Sequence, residues 1–220
     1  MSPSDPNEFV TVRSLLPTLP LPTNNERAVV TTNRLTIRAL QPTDLEAFYA
    51  LRTEEDVMKW TSARRIDRDI EETRAKLNPF LSPNDTATFN WAICWKDTGE
   101  FIGIGGCHLF PAGHGWPEVG YMLRKEFWGQ GLGSEFLNAW LRMWRDLPRK
   151  EQESRVQRKM VAGEGEVDEH LIAITGDSNV PSQKVLQKAG FERFREWTQG
   201  SEGDGKGSVK LVAFRFFPSR

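Results

Sequence analysis

Residues 118–144 read EVGYMLRKEFWGQGLGSEFLNAWLRMW. Residues 118–123 form a short, largely apolar run of strand type, and the next stretch carries Gly129, Gly131 and Gly133. Phe136, Leu137, Trp140, Leu141 and Trp144 then recur at spacings of one, three and four, which places them on one face of a helix over about 133–144. Alternate glycines let the backbone turn tightly and let a ligand approach the main chain. The N–H groups of the loop and of the helix's first turn would then converge on one spot, with the helix dipole adding positive potential. That is a seat for a phosphate or diphosphate. The same pattern also serves a plain strand-to-helix corner. It is not a P-loop, because no Gly-Lys-Ser/Thr follows. Nor is it a dinucleotide fingerprint, because the spacing is G-x-G-x-G and the loop lies in mid-chain after hairpins.

Upstream, Leu35, Ile37 and Ala39 alternate with Arg34, Thr36 and Arg38, the two-residue period of a strand. Thr43 or Asp44 can cap a helix running to about 52, and a second helix is expected over 67–78, stopped by Pro79. Residues 89–95 and 101–110 flank a short Asp- and Gly-containing loop and predict a β-hairpin. Gly103, Gly105 and Gly106 within it suggest a bulge or a close approach of backbone. Downstream, HLIAIT over 170–175 is a short buried strand. A helix starts at Asn179 with Pro181 in its first turn, and Gly190 stands just past its end. Strands over 191–197 and 209–217, joined by the loop 200–207, close the chain. The order β-α-α-β-β-β-α-β-α-β-β predicts a mixed α/β fold, with helices on the faces of a mixed sheet rather than a doubly wound parallel one. Residues 33–220 read as a single domain. Residues 1–32, with Pro3, Pro6, Pro17, Pro20 and Pro22, read as an extended or disordered leader, with Phe9, Val10, Leu15, Leu16 and Leu19 available to anchor it onto the domain. The densely charged 146–169 reads as an exposed, mobile insertion.

The net charge of −1 gives no global pull toward nucleic acid or an anionic membrane. No stretch has the apolar length of a membrane span, and the start lacks the pattern of a signal peptide, so a cytoplasmic protein is the expectation. Cys94 and Cys107 lie in strand-like runs outside any CxxC or metal-ligand spacing, and read as buried, reduced thiols. No metal site is expected.

WGQGLGSEF, residues 128–136, resembles the acyl-CoA diphosphate loop of the GNAT superfamily of N-acetyltransferases, and most closely its RimJ/RimL branch. Trp128 stands where that loop often has Gln or Arg, so anion binding would rest on backbone amides. Asn179-Val180-Pro181-Ser182 followed by Lys188-Ala189-Gly190-Phe191 resembles the family's N-x-x-S and K-x-G-F segment, and RLTIRALQPTDLEAFYAL resembles its first strand and helix. The resemblance spans roughly 34–217 with its three segments in order. The leader and the 146–169 insertion lie outside it.

The resemblance implies a mostly antiparallel, splayed central sheet and direct transfer of an acetyl group from acetyl-CoA to a primary amine. The acceptor would be a peptide N-terminus or a small-molecule amine, and the chain a monomer or homodimer. A non-catalytic acyl-CoA-binding module of the same fold is the alternative. Trp128, Gly129, Gln130, Gly131, Leu132, Gly133 and Ser134 would hold the diphosphate. Tyr121, Met122 and Leu123 would pair through their main chain with the pantetheine arm, and Asn179 would orient it. The amine must lose a proton, so a base is needed, and Glu118 is expected in that role, through water. Ser182 is expected near the thioester sulfur as acid or water-holder. His108 and His114 lie near the same sheet end, but no partner for either is visible in the sequence. Acceptor selection would come from 53–67 and 199–208, whose charges point both ways.

Overall fold

The computed structural model describes residues 9–200 and 208–218. The loop expected over 200–207 therefore lies almost wholly outside the described residues, as does most of the acceptor-side segment 199–208.

The strands in chain order are β1 (Phe9–Pro17), β2 (Val30–Thr31), β3 (Leu35–Arg38), β4 (Phe89–Trp95), β5 (Phe101–Leu109), β6 (Glu118–Leu123), β7 (Arg149–Gln157), β8 (Gly165–Glu166), β9 (Leu171–Gly176), β10 (Glu192–Gln199) and β11 (Val209–Phe216). The helices are α1 (Leu45–Arg52), α2 (Glu55–Met58), α3 (Ile70–Leu77), α4 (Leu132–Arg145) and α5 (Val180–Lys188). An eight-stranded sheet has the order β10-β11-β9-β6-β5-β4-β3-β2. Its pairings are antiparallel except β6 with β9, which run parallel and share one register pair, Glu118 with Ile172. The sheet is therefore mixed and mostly antiparallel, and it opens between β6 and β9.

The two faces are covered differently. Alternation along the strands sends Leu35, Ile37, Trp91, Val119, Leu171, Ala173, Val212 and Phe214 to one face. There they pack on Phe136, Leu137, Trp140 and Trp144 of α4 and on Leu186 of α5. A Cβ on Gly105 would sit 2.4 Å from the Phe136 ring, so the strand has no side chain where α4 rests on it. The other face carries α1 and α3 over Ala92, Cys94, Ile104 and Met122.

Beyond the opening, that second face is covered by a three-stranded sheet of order β7-β1-β8. Of the two readings of the leader, the extended one anchored on the domain holds over 9–17 and the disordered one does not, while the charged insertion, largely exposed as expected, is a paired strand rather than a loose segment. Residues Phe9–Pro17 pair antiparallel with Arg149–Gln157 along their whole length. Val12, Leu16 and Val156 are buried with Trp116, Ile172 and Ala213. The rest of the leader is fastened too. Arg27 is buried and donates to the carbonyls of Pro22, Asp85, Thr88 and Asn90. The buried Glu169 accepts from the Trp144 indole at 2.8 Å and pairs with Arg149. Pairing supplies each of these polar stretches with partners that neither has alone.

Candidate active site

The glycine loop and α4 form as the residue pattern predicts. Gly131 is the N-cap of α4 and has φ of 79°, in the left-handed region that favours glycine. Gly129 has φ of 74°. Among the described residues, no group accepts from the main-chain N–H groups of Gly129, Gln130, Gly131, Leu132, Gly133 or Ser134. Six donors at the mouth of a 14-residue helix are left for a ligand or water. Trp128 adds no charge there. Its indole donates to the Leu123 carbonyl at 2.7 Å and ties the loop back to β6.

A cation is present nonetheless, one that the loop's own residues give no sign of. Arg34 donates to the Gln130 carbonyl at 2.9 Å and pairs with Glu135 of the first helical turn at 2.7 Å. Three of its five N–H groups are engaged, leaving two at the rim. The only sequence signal was Arg34's place at the start of β3, with no hint of contact across a hundred residues.

From this mouth, β6 runs back toward Glu118 with its β9-facing edge open past the single pair at Glu118. Asn179 caps α5 through its side chain, which accepts from the Ser182 N–H at 3.3 Å. Ser182 faces the opening on the α4 side, where its hydroxyl lies 3.2 Å from the Tyr121 hydroxyl. Burial pushes the Tyr121 phenol up to about 12, so it keeps its proton at neutral pH and can donate. Tyr121 thus brings a side chain to the opening as well as its main chain. Met122 points to the other face, against the cluster around α1 and α3.

On that other face, at the apex of the opening, stands a group that the sequence left unassembled. Glu118 Oε2 lies 3.1 Å from His114 Nε2, and Oε1 lies 3.5 Å from His108 Nε2. Burial opposes the charge of Glu118. The hydrogen bonds and attraction of the two imidazoles outweigh that and hold its pKa down to about 2. Glu118 is therefore a charged hydrogen-bond acceptor at neutral pH. His114 is buried, and its Nδ1 accepts from the Trp116 N–H at 3.2 Å. Cys107 is inert by comparison, since burial pushes its thiol far above the ordinary range. Among the described residues no group of three or more His, Cys, Asp and Glu is placed to hold a metal ion.

The acceptor-side segment 53–67 contains α2. Glu54 accepts from the Lys125 N–H at 2.8 Å, and Asp56 pairs with the Lys125 side chain. The segment is thereby tied to the turn that leads into the glycine loop. A separate open cavity of about 510 Å³ and mixed charge lies among Arg13, Glu151, Glu192 and Arg215.

A family model described as "Acetyltransferase (GNAT) domain" matches residues 34–192. Among curated proteins, the uncharacterized N-acetyltransferase YoaA of Bacillus subtilis (strain 168) is 27% identical over 111 residues. That match covers 50% of this chain and 62% of the relative, so the chain spans less than two thirds of the curated protein it matches. Among solved structures, a spermidine N-acetyltransferase from Vibrio cholerae in complex with CoA and spermine superposes with a TM-score of 0.63 at 14% identity, covering 86% of this chain and 98% of that one. A ribosomal-protein-S5-alanine acetyltransferase from Vibrio fischeri gives 0.64 at 15% identity, covering 87% and 97%. Both likenesses establish the fold. Among the described residues no helix is long and apolar enough to cross a membrane.

Proposed function

The chain belongs to the GNAT acetyltransferase family, and from that premise we propose that it moves the acetyl group of acetyl-CoA onto a primary amine. The acceptor is the N-terminus of a peptide or a small-molecule amine, and the WGQGLGSEF and N-x-x-S segments support a RimJ/RimL-like branch. One observation carries the reading: among the described residues six main-chain N–H groups at the mouth of α4 have no protein partner, and they lie at the far end of the strand β6, whose β9-facing edge is open. Such a mouth favours a diphosphate through its donors and its dipole.

The residues divide the work. Gly129 to Ser134 donate to the diphosphate seat, Trp128 braces the loop against β6, and Arg34 adds charge at the rim. The main chain of Tyr121, Met122 and Leu123 lies along the opening and can pair with an extended amide-bearing arm, as a peptide adds to a sheet edge. Asn179 fixes the start of α5 and so places Ser182. Bound there, acetyl-CoA supplies an activated acyl group that needs no covalent enzyme intermediate. Tyr121 and Ser182 stand on the α4 side as proton donors to the departing thiolate. The cluster at Glu118 stands on the opposite face, where an amine can approach between α1–α3 and the accessory sheet.

That cluster separates a transferase from a module that only binds coenzyme. The test is a thermal shift with CoA, followed by thiol release from acetyl-CoA against a panel of peptides, polyamines and aminoglycoside-type amines. Coenzyme at a hundredfold excess over its Kd stabilises the native state by about 2.7 kcal/mol. A shift with amine-dependent thiol release is expected. A shift without release from any amine leaves only the binding module, and no shift at all refutes both.

A further inference from the structure

Three titratable side chains meet at the apex of the opening, and their hydrogen bonds distinguish them. Glu118 is ionised at neutral pH and can only accept. Both imidazoles turn Nε2 toward it, at 3.1 Å from His114 and 3.5 Å from His108. The carboxylate therefore selects the Nε2–H tautomer in each neutral ring. His114 has its remaining lone pair taken, because Trp116 N–H donates to its Nδ1. For His108, no described group donates to Nδ1.

Backbone geometry places that ring. The pairing of β5 with β6 shifts register between Cys107 and Leu109, so His108 is the extra residue of a β-bulge. Bulges re-aim a side chain and recur beside active sites. Here the ring lies over Gly120 of β6, where an added Cβ would be 3.3 Å from Cε1 and 3.4 Å from Nδ1. A Cβ at 120 would make the ring give way by a few tenths of an ångström. His108 also remains 35% exposed at its side chain, whereas His114 is 6% exposed. Among the described residues, His108 is the ring of the two that has an unpartnered nitrogen and a part-exposed side chain.

We propose that His108 takes the proton from the acceptor amine, with Glu118 holding its ring and tautomer and His114 steadying Glu118. This rests on the acetyltransfer reading above. The amine nitrogen forms the new bond to the acyl carbon and the carbon–sulfur bond breaks, its electron pair leaving on sulfur. The proton from nitrogen passes to His108 Nδ1, directly or through one water. The sulfur takes a proton from the Tyr121–Ser182 side. Glu118 is thereby a positioning residue. The titratable groups facing His108 are Glu118 from β6 and, through it, His114 from the loop after β5.

The experiment measures thiol release by the full chain with acetyl-CoA and the best acceptor of the panel. It compares wild type, His108→Gly, His108→Gln and Glu118→Gln, each with and without added imidazole, and records CoA affinity by calorimetry. Loss of a positioned base lowers kcat by about 10²–10⁴-fold. His108→Gly and His108→Gln are expected to lose kcat in that range, with CoA affinity and the KM for acetyl-CoA kept. Imidazole should restore His108→Gly in proportion to its concentration and leave Glu118→Gln unchanged. The proposal is overturned if either His108 variant keeps wild-type kcat, or if imidazole does nothing while Glu118→Gln is the more damaged enzyme. It falls together with the transfer reading if the wild type binds CoA and releases no thiol with any acceptor. A wild type that binds no CoA removes the coenzyme site itself, a result calorimetry shows directly.

Discussion

Glu118 is the residue on which sequence and structure diverge most usefully. From sequence it was a carboxylate at the start of a strand, expected as a base. In the fold its carboxyl pKa is held down to about 2 beside two histidines, and on our proposal it holds the ring of His108 rather than taking the proton itself. The difference has a thermodynamic consequence. The folded-state pKa is near 2, against a reference of 4.5. A depressed carboxyl contributes stability that is fully present above the unfolded value and is lost as pH falls from about 4.5 toward 2. The contribution is on the order of 3 kcal/mol, since one pKa unit corresponds to 1.36 kcal/mol. Urea unfolding of Glu118→Gln against wild type should therefore show a gap that closes as pH drops through that window. A gap that stays constant to pH 2, or widens, would refute the assignment. Sequence could not foresee this state, because His108, His114 and Glu118 are joined by a bulge and a loop whose geometry has no residue pattern of its own.

At the scale of elements, the segments with strong periodicity were legible. The apolar stripe of α4, the hairpin of β4 and β5, and the Pro and Gly marking the ends of α5 all have local physical causes, and each formed within a few residues of expectation. What failed was pairing between weak segments. Residues FVTVRSLLP alternate well enough for a strand, with Val12, Ser14 and Leu16 buried, but the surrounding prolines favoured an extended leader. RKEQESRVQ has one fully buried residue, Val156, and no readable face until β1 lies beside it. Neither segment indicates its partner 140 residues away, and α2 is too short, at four residues, to show a period. The accessory sheet also bears on chemistry. Gln157 N–H of β7 donates to the His114 carbonyl at 3.0 Å, and Gly115 packs against the Arg155 carbonyl. Leu16→Ala should cost about 2–5 kcal/mol, lower the rate of acetyl transfer by loosening the His114 loop, and leave CoA affinity unchanged. Chemical denaturation together with calorimetry checks this. Unchanged stability, or lost CoA binding with transfer intact, would show that the sheet does not support the acceptor side.

The molecule as a whole divides its labour by faces of one sheet. One face carries α4 and α5, the glycine loop proposed to seat the diphosphate, and the Tyr121–Ser182 pair. The opposite face carries the histidine cluster between α1–α3 and the sheet built from β7, β1 and β8. The opening between β6 and β9 joins the two, and on the proposed reading coenzyme and acceptor meet there from opposite sides. The measurement that tests this most directly follows backbone amide resonances as CoA is added to the ¹⁵N-labelled chain. The largest changes are expected at the N–H groups of Gly129 to Ser134, with smaller ones along Tyr121 to Leu123. Changes concentrated elsewhere, or none in the glycine loop at saturating CoA, would contradict the account.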